Sequence, residues 1–155
     1  MVVSLKIKFC AMKNQNQFKF FIVDDDIFCA NVYEQFLKNS GYSDITYYSN
    51  GNDCLSNLNS IPDIILLDHN MEGITGFEVL KKIKRYNPNI YVIMISGQEN
   101  INTAVNALKY GAFDYLIKDK TVNDKLSHII EKIIKIKQVM RESNPTIMQR
   151  ILSIF

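Results

Sequence analysis

The chain has 155 residues, 47% of them hydrophobic, enough for one domain that buries roughly two thirds of its unfolded surface, so no second domain is needed. A net charge of +2, with Lys, Asp and Glu intermixed, leaves no basic tract of the kind that nucleic acid or an anionic membrane attracts. Cys10, Cys29 and Cys54 are odd in number and far apart, without the close pairs of a zinc site, which predicts reduced, mostly buried thiols and a cytoplasmic protein.

Residues 1–10 lack the long apolar core of a signal peptide or a membrane span, so residues 1–17 are expected to be a flexible extension, within which Met12 is a second candidate start. From residue 18 onward, apolar runs and helical stretches alternate five times, the pattern of βα units closing into a parallel sheet with helices on both faces. The first strand is expected over 19–23. A helix follows over 27–39, with Phe28, Val32, Phe36 and Leu37 near helical spacing and Gly41 as its C-terminal cap. The second strand is expected over 45–48. A short helix over 52–57 then has Asn50 as a candidate N-cap.

Pro62 precedes the most apolar strand, 64–67, and two glycines in the loop 68–76 precede a helix over 77–86 that Asn87 and Pro88 end. The fourth strand spans 91–95, with Ser96 and Gly97 at its carboxyl end, and a helix over 101–110 stops at Gly111. The fifth strand, 114–117, delivers Lys118. The last helix, 122–141, carries two apolar stripes: Ile129, Ile133, Ile136 and Met140, and beside it Leu126, Ile130 and Ile134. One stripe is expected in the core; the other either covers the sheet too or meets a second copy of the protein. The domain is expected over 18–142. In the tail, 143–155, Ile147, Met148, Ile151, Leu152 and Phe155 would share one face of a short amphipathic helix that leaves no room for a DNA-binding helix pair.

In open α/β sheets ligands gather outside the carboxyl ends of the strands. Asp24 and Asp25 stand at the end of the first strand, Asp68 at the third, Ser96 at the fourth and Lys118 at the fifth. Clustered carboxylates repel unless a cation is present or their pKa values rise. An all-oxygen donor set favours Mg²⁺ or Ca²⁺ over zinc, and a set this small, without an EF-hand loop, suits Mg²⁺ with positions left for water and a phosphoryl oxygen. Lys118 and Ser96 suit the phosphoryl group itself, by charge and by hydroxyl donation. Asp68, alone at its strand end, is the candidate nucleophile for an aspartyl phosphate.

With these marks the chain resembles the receiver domains of two-component response regulators over about residues 18–140. The resemblance rests on the acids after Phe21, Ile22 and Val23; on Asp68, His69, Asn70 and Met71 with Gly73 and Gly76; on Met94 to Gly97; and on Gly111 to Lys118. It implies a flavodoxin-like, doubly wound, five-stranded sheet of order 2-1-3-4-5. Asp68 would accept a phosphoryl group from a sensor histidine kinase or a histidine phosphotransfer protein, and the chain would be a signalling phospho-acceptor that catalyses its own phosphorylation and dephosphorylation. Asp25, Asp68 and the main-chain carbonyl of Asn70 would hold Mg²⁺, with Asp24 assisting through water and Lys118 stabilising the transferring oxygens. Ser96 would move toward the phosphate and Tyr115 would turn inward, altering the face of the fourth helix, fifth strand and fifth helix, which would meet a downstream protein or a second copy. Asn70 and Gln98 resemble positions that tune phosphoryl lifetime, and neither is an acid. No nucleic-acid or membrane partner is implied.

Three residues depart from the family's commoner pattern: Asp119 replaces a proline that follows a cis peptide, Ser96 replaces threonine, and Glu72 replaces proline. Asp26 reads as a helix N-cap, His69 as a solvated side chain at the rim, Met71 and Met94 as packing, and His128 as without chemistry. A haloacid-dehalogenase-type phosphatase would need Asp-x-Asp-Gly-Thr after the first strand, where Ile27 and Phe28 follow the acids instead. A receiver-like module that is never phosphorylated is the remaining rival, and the intact site set argues against it.

Overall fold

The structure is a computed structural model and describes residues 18–143. Five parallel strands, β1 (Lys19–Val23), β2 (Asp44–Tyr48), β3 (Ile64–Asp68), β4 (Tyr91–Ser96) and β5 (Asp114–Ile117), form one sheet in the order β2-β1-β3-β4-β5. Between and after them run α1 (Ile27–Asn39), α2 (Gly51–Ser56), a 3₁₀ turn (Leu58–Ser60), α3 (Gly76–Tyr86), α4 (Ile101–Lys109) and α5 (Val122–Ser143). The expected flavodoxin-like order is therefore the observed one. Strand and helix ends differ from the sequence reading by no more than two residues.

The central strands are continuous apolar runs because a parallel sheet is covered on both faces. On one face Phe21, Val23, Ile65, Leu67, Val92 and Met94 form a buried cluster with Cys54 of α2 and Val79, Leu80 and Ile83 of α3. The alternate residues Ile22, Leu66 and Ile95 face Tyr33 of α1 on the other side. Met71 and Met94 are buried as expected. Cys54 is buried and free, its thiol pushed up to about 12 by burial, while Cys29 is half-buried and free.

The helices begin and end where side chains or turns can satisfy their free backbone groups. Asp26, Asn50 and Asn100 cap α1, α2 and α4, and Thr75 with Glu78 forms a reciprocal capping box on α3. At the end of α1, Gly41 adopts φ +91° and donates to Lys38 O, while Tyr42 N donates to Leu37 O, the paired bonds of a Schellman turn. The buried stripe of α1 differs from the sequence reading. Ala30, Tyr33 and Leu37 face inward, whereas Phe28 is 73% exposed and Val32 38%. Tyr33 supplies the large inward side chain, and its i−3 and i+4 neighbours complete the stripe, so Phe28 is turned to solvent.

The chain divides into two compact units, Met1–Asn123 and Asp124–Phe155. In the second, Leu126, Ile129, Ile130 and Ile133 of α5 are buried, so residues of both predicted stripes are covered over 126–133, while Met140 is exposed. No described helix is long and apolar enough to cross a membrane. Cys10, the extension 1–17, the second candidate start at Met12 and the tail helix with Ile147, Met148, Ile151, Leu152 and Phe155 lie outside the described residues.

Ile61 closes the 3₁₀ turn at φ +53° and is 65% exposed. A β-branched side chain in left-handed backbone costs about 1–2 kcal/mol, and this one gains little from packing. Ile61→Asn should therefore raise the unfolding free energy by about 1 kcal/mol in urea titration, because asparagine tolerates that conformation. A variant no more stable than wild type would refute this account of the turn.

Candidate functional site

The parallel register carries the ends of β1, β3, β4 and β5 to one edge, where Asp24, Asp68 and Lys118 meet. Asp24, just beyond β1, is 2% exposed, and Asp68, the last residue of β3, 5%. Lys118, just beyond β5, reaches both: its Nζ lies 2.9 Å from Asp24 Oδ2 and 2.7 Å from Asp68 Oδ1. Asp25 is exposed on the same loop, and carboxylate oxygens of Asp24, Asp25 and Asp68 all lie within 4.8 Å of one another. At 4.8 Å the repulsion between buried Asp24 and Asp68 is about 3 kcal/mol at an effective dielectric of about 20, and the Lys118 ammonium between them offsets it.

The electrostatics follow from this arrangement. Burial raises the Asp24 carboxyl above its ordinary range, against the hydrogen bonds from Lys118 and the Asp26 amide. Burial alone would lower the Lys118 ammonium, but the hydrogen bonds and charges of Asp68 and Asp24 outweigh it and hold that group firmly protonated. Asp26 is an N-cap as the sequence suggested: its Oδ1 accepts from Phe28 N at 2.9 Å, and that bond lowers its pKa.

Backbone contacts fix the acid loop. Asp26 N donates to Asp24 Oδ1 at 2.9 Å, Glu72 N donates to Asp25 Oδ2 at 3.2 Å, and Asp24 N donates to Tyr48 O at 3.2 Å. Ser96 ends β4 fully buried, with its Oγ accepting from Gln98 N at 3.2 Å and its carbonyl accepting from Lys118 N at 2.8 Å. Tyr115 of β5 is partly buried, and its hydroxyl donates to Gln98 O at 3.1 Å. Asn70 and Gln98 are both exposed, two positions past Asp68 and Ser96. The Lys118–Asp119 peptide is trans, like every described peptide bond.

His69 is not the solvated rim residue the sequence suggested. It is partly buried, its ring stands edge-on to Phe77 at 5.2 Å, and its Nδ1 is buried without a hydrogen-bond partner. Burial lowers its pKa against the pull of Asp68, because the phenylalanine of α3 covers the ring. Two tyrosines were missed altogether. Tyr33 packs close beneath the acids, beside Asp24 and Asp68, and Tyr47 donates from its hydroxyl to Asp24 O at 3.0 Å. Strand order was the available signal for the second, since Tyr47 stands next to last on the strand beside β1.

Three carboxylates and an ammonium thus converge at the carboxyl edge of the parallel sheet, where open α/β folds take their ligands. The family model for the response regulator receiver domain matches residues 20–131, and the chain belongs to that family. It is 37% identical over 115 residues to the transcriptional regulatory protein ZraR of Klebsiella oxytoca, a match covering 69% of this chain and 26% of that protein. The chain thus spans about a quarter of the length of the curated relatives it matches. Among solved structures, the receiver domain of a putative LuxO repressor from Vibrio parahaemolyticus superposes with a TM-score of 0.73 at 26% identity, covering 81% of this chain and 96% of that one. The CheX–CheY–BeF₃–Mg²⁺ complex of Borrelia burgdorferi gives a TM-score of 0.70 at 25% identity, covering 76% and 89%.

Proposed function

We propose that this receiver domain takes up a phosphoryl group on Asp68 from a phosphohistidine donor and relays the change through the face of α4 and β5. The observation that carries the proposal is the convergence of Asp24, Asp25 and Asp68 within 4.8 Å, with Lys118 joined to the two buried members. The all-oxygen donor set fits Mg²⁺, held by Asp25, Asp68 and the Asn70 carbonyl with Asp24 behind them. The solved CheX–CheY relative, a complex with BeF₃ and Mg²⁺, supports that choice. When bound, Mg²⁺ supplies charge stabilisation to the phosphoryl oxygens.

A carboxylate oxygen of Asp68 forms the new P–O bond as the P–N bond of the donor breaks. The departing imidazole keeps the electron pair and takes up a proton. Lys118, firmly protonated, balances charge on the transferring oxygens, and its bond to Asp24 keeps it aimed at Asp68. Ser96 Oγ donates to the bound phosphate, breaking its contact with Gln98 N, and Tyr115 leaves the Gln98 carbonyl as that loop moves. Asn70 and Gln98 orient water at the phosphate without acting as bases, which sets its lifetime.

Exposed Ile27 and Phe28, on the first turn after the acid loop, give the donor an apolar foothold beside the site. Exposed Ile101, Val105 and Leu108 on α4 give the downstream protein another. Incubation with Mg²⁺ and acetyl phosphate, read by intact mass, should add one phosphoryl group to wild type and none to Asp68→Asn. A wild-type protein that gains no mass, and shows no spectral change with beryllofluoride, would return the reading to a module that only binds partners.

A further inference from the structure

Tyr47 makes a contact with the acid loop that the phosphoryl chemistry itself does not call upon. β2 runs parallel to β1, with Val23 opposite Tyr48, and Asp24 N extends that ladder by donating to Tyr48 O. The next rung would bring a β2 amide to the Asp24 carbonyl. The chain instead turns away at Asn50, which caps α2 with its side chain. The Tyr47 hydroxyl takes that place, donating to Asp24 O at 3.0 Å from a partly buried position. A carbonyl in so buried a residue needs a donor.

We infer that Tyr47 is a positioning residue for the divalent-ion site: its hydroxyl fixes the main chain of Asp24, and through it the carboxylates of Asp24 and Asp25, in the geometry that receives the ion. Those carboxylates flank the anchored carbonyl. The Asp24 carboxylate is held on its far side by Lys118 at 2.9 Å, and Asp25 by the Glu72 amide at 3.2 Å. The loop is thus tied to β2, β5 and the β3–α3 segment, and on β2 the Tyr47 hydroxyl adds a side-chain tie to the backbone bond from Asp24 N to Tyr48 O. Side chains that orient metal ligands govern affinity without touching the ion. The inference rests on the Mg²⁺-dependent reading of the site.

The test is an Mg²⁺ titration of the unphosphorylated protein, followed by amide chemical shifts, at a temperature where circular dichroism shows every variant fully folded. Tyr47→Phe should bind Mg²⁺ about tenfold more weakly than wild type. Its own shift changes should be confined to 23–26 and 46–50. Tyr86→Phe, an exposed tyrosine on α3, should match wild type. Equal affinity in Tyr47→Phe and wild type overturns the role of Tyr47 while leaving the site intact. Shift changes spread over the whole sheet also overturn it, since they mark a general structural part. A wild type that does not respond to Mg²⁺ overturns this inference and the reading beneath it together.

Discussion

Lys118→Met should slow phosphorylation of Asp68 by about a hundredfold to a thousandfold, the usual loss when one charged donor is removed from a developing oxyanion. The same change should destabilise the metal-free protein by about 3 kcal/mol, because it leaves two buried carboxylates that have lost their shared cation. The two effects are separable. Mg²⁺ can neutralise part of the charge and so restore part of the stability, but it cannot take the place of the ammonium at Asp68 Oδ1. Urea unfolding with and without Mg²⁺, beside a mass-spectrometric time course with acetyl phosphate, measures both. Equal stability and an equal rate in the variant would show that Lys118 is a surface ion pair with no part in the site.

The sign of the pH dependence is also determined. Asp24 titrates above its ordinary range in the folded protein because burial disfavours its charge. Between its unfolded and folded pKa values the folded state holds a proton that the unfolded state has released, so this group's contribution to stability falls as pH rises through that window. Without Lys118 the folded value rises further and the window widens. The variant should therefore recover stability, relative to wild type, as pH is lowered from neutrality into that window. Mg²⁺ should flatten the difference by favouring the ionised form.

The residues that meet at the sheet edge were legible because each terminates a continuous apolar run, and in a parallel sheet such runs deliver their last side chains to one edge. Asp24, Asp68, Ser96 and Lys118 were placed by that logic alone, and the caps at Asp26 and Asn50 by local chemistry. What could not be read depends on neighbours distant in the chain. The burial of His69 comes from Phe77, and the inward stripe of α1 from the choice of Tyr33 over Phe28, a choice between two helical faces of similar apolar content. Tyr47 looks like any half-buried edge-strand aromatic until strand order sets it beside β1. The glycines of the β3–α3 loop were visible, but not which of them is hemmed in by backbone.

Gly76 is that residue. It opens α3, and a Cβ built on it would lie 2.3 Å from the carbonyl oxygen of Asp68 and 2.8 Å from His69 Cα. Gly76 N also donates to His69 O at 3.0 Å, so the helix start is bonded to the residue that follows Asp68. Neither obstacle is a flexible side chain that can swing aside. Gly76→Ala must push α3 away from β3 or displace Asp68, and should cost about 3 kcal/mol, at the upper end for an overpacked position. Gly73, by contrast, has open space around its Cβ position but φ +84°, so Gly73→Asn should be nearly neutral because asparagine tolerates left-handed backbone. Urea unfolding of the two variants separates steric approach from backbone conformation as the reason for each glycine. The Gly76→Ala protein that remains folded should also accept phosphate from acetyl phosphate more slowly, since the carbonyl it presses on belongs to Asp68, the proposed phospho-acceptor. A Gly76→Ala protein as stable and as readily phosphorylated as wild type would mean that the helix start can retreat without moving Asp68, and that the close approach has no bearing on the site.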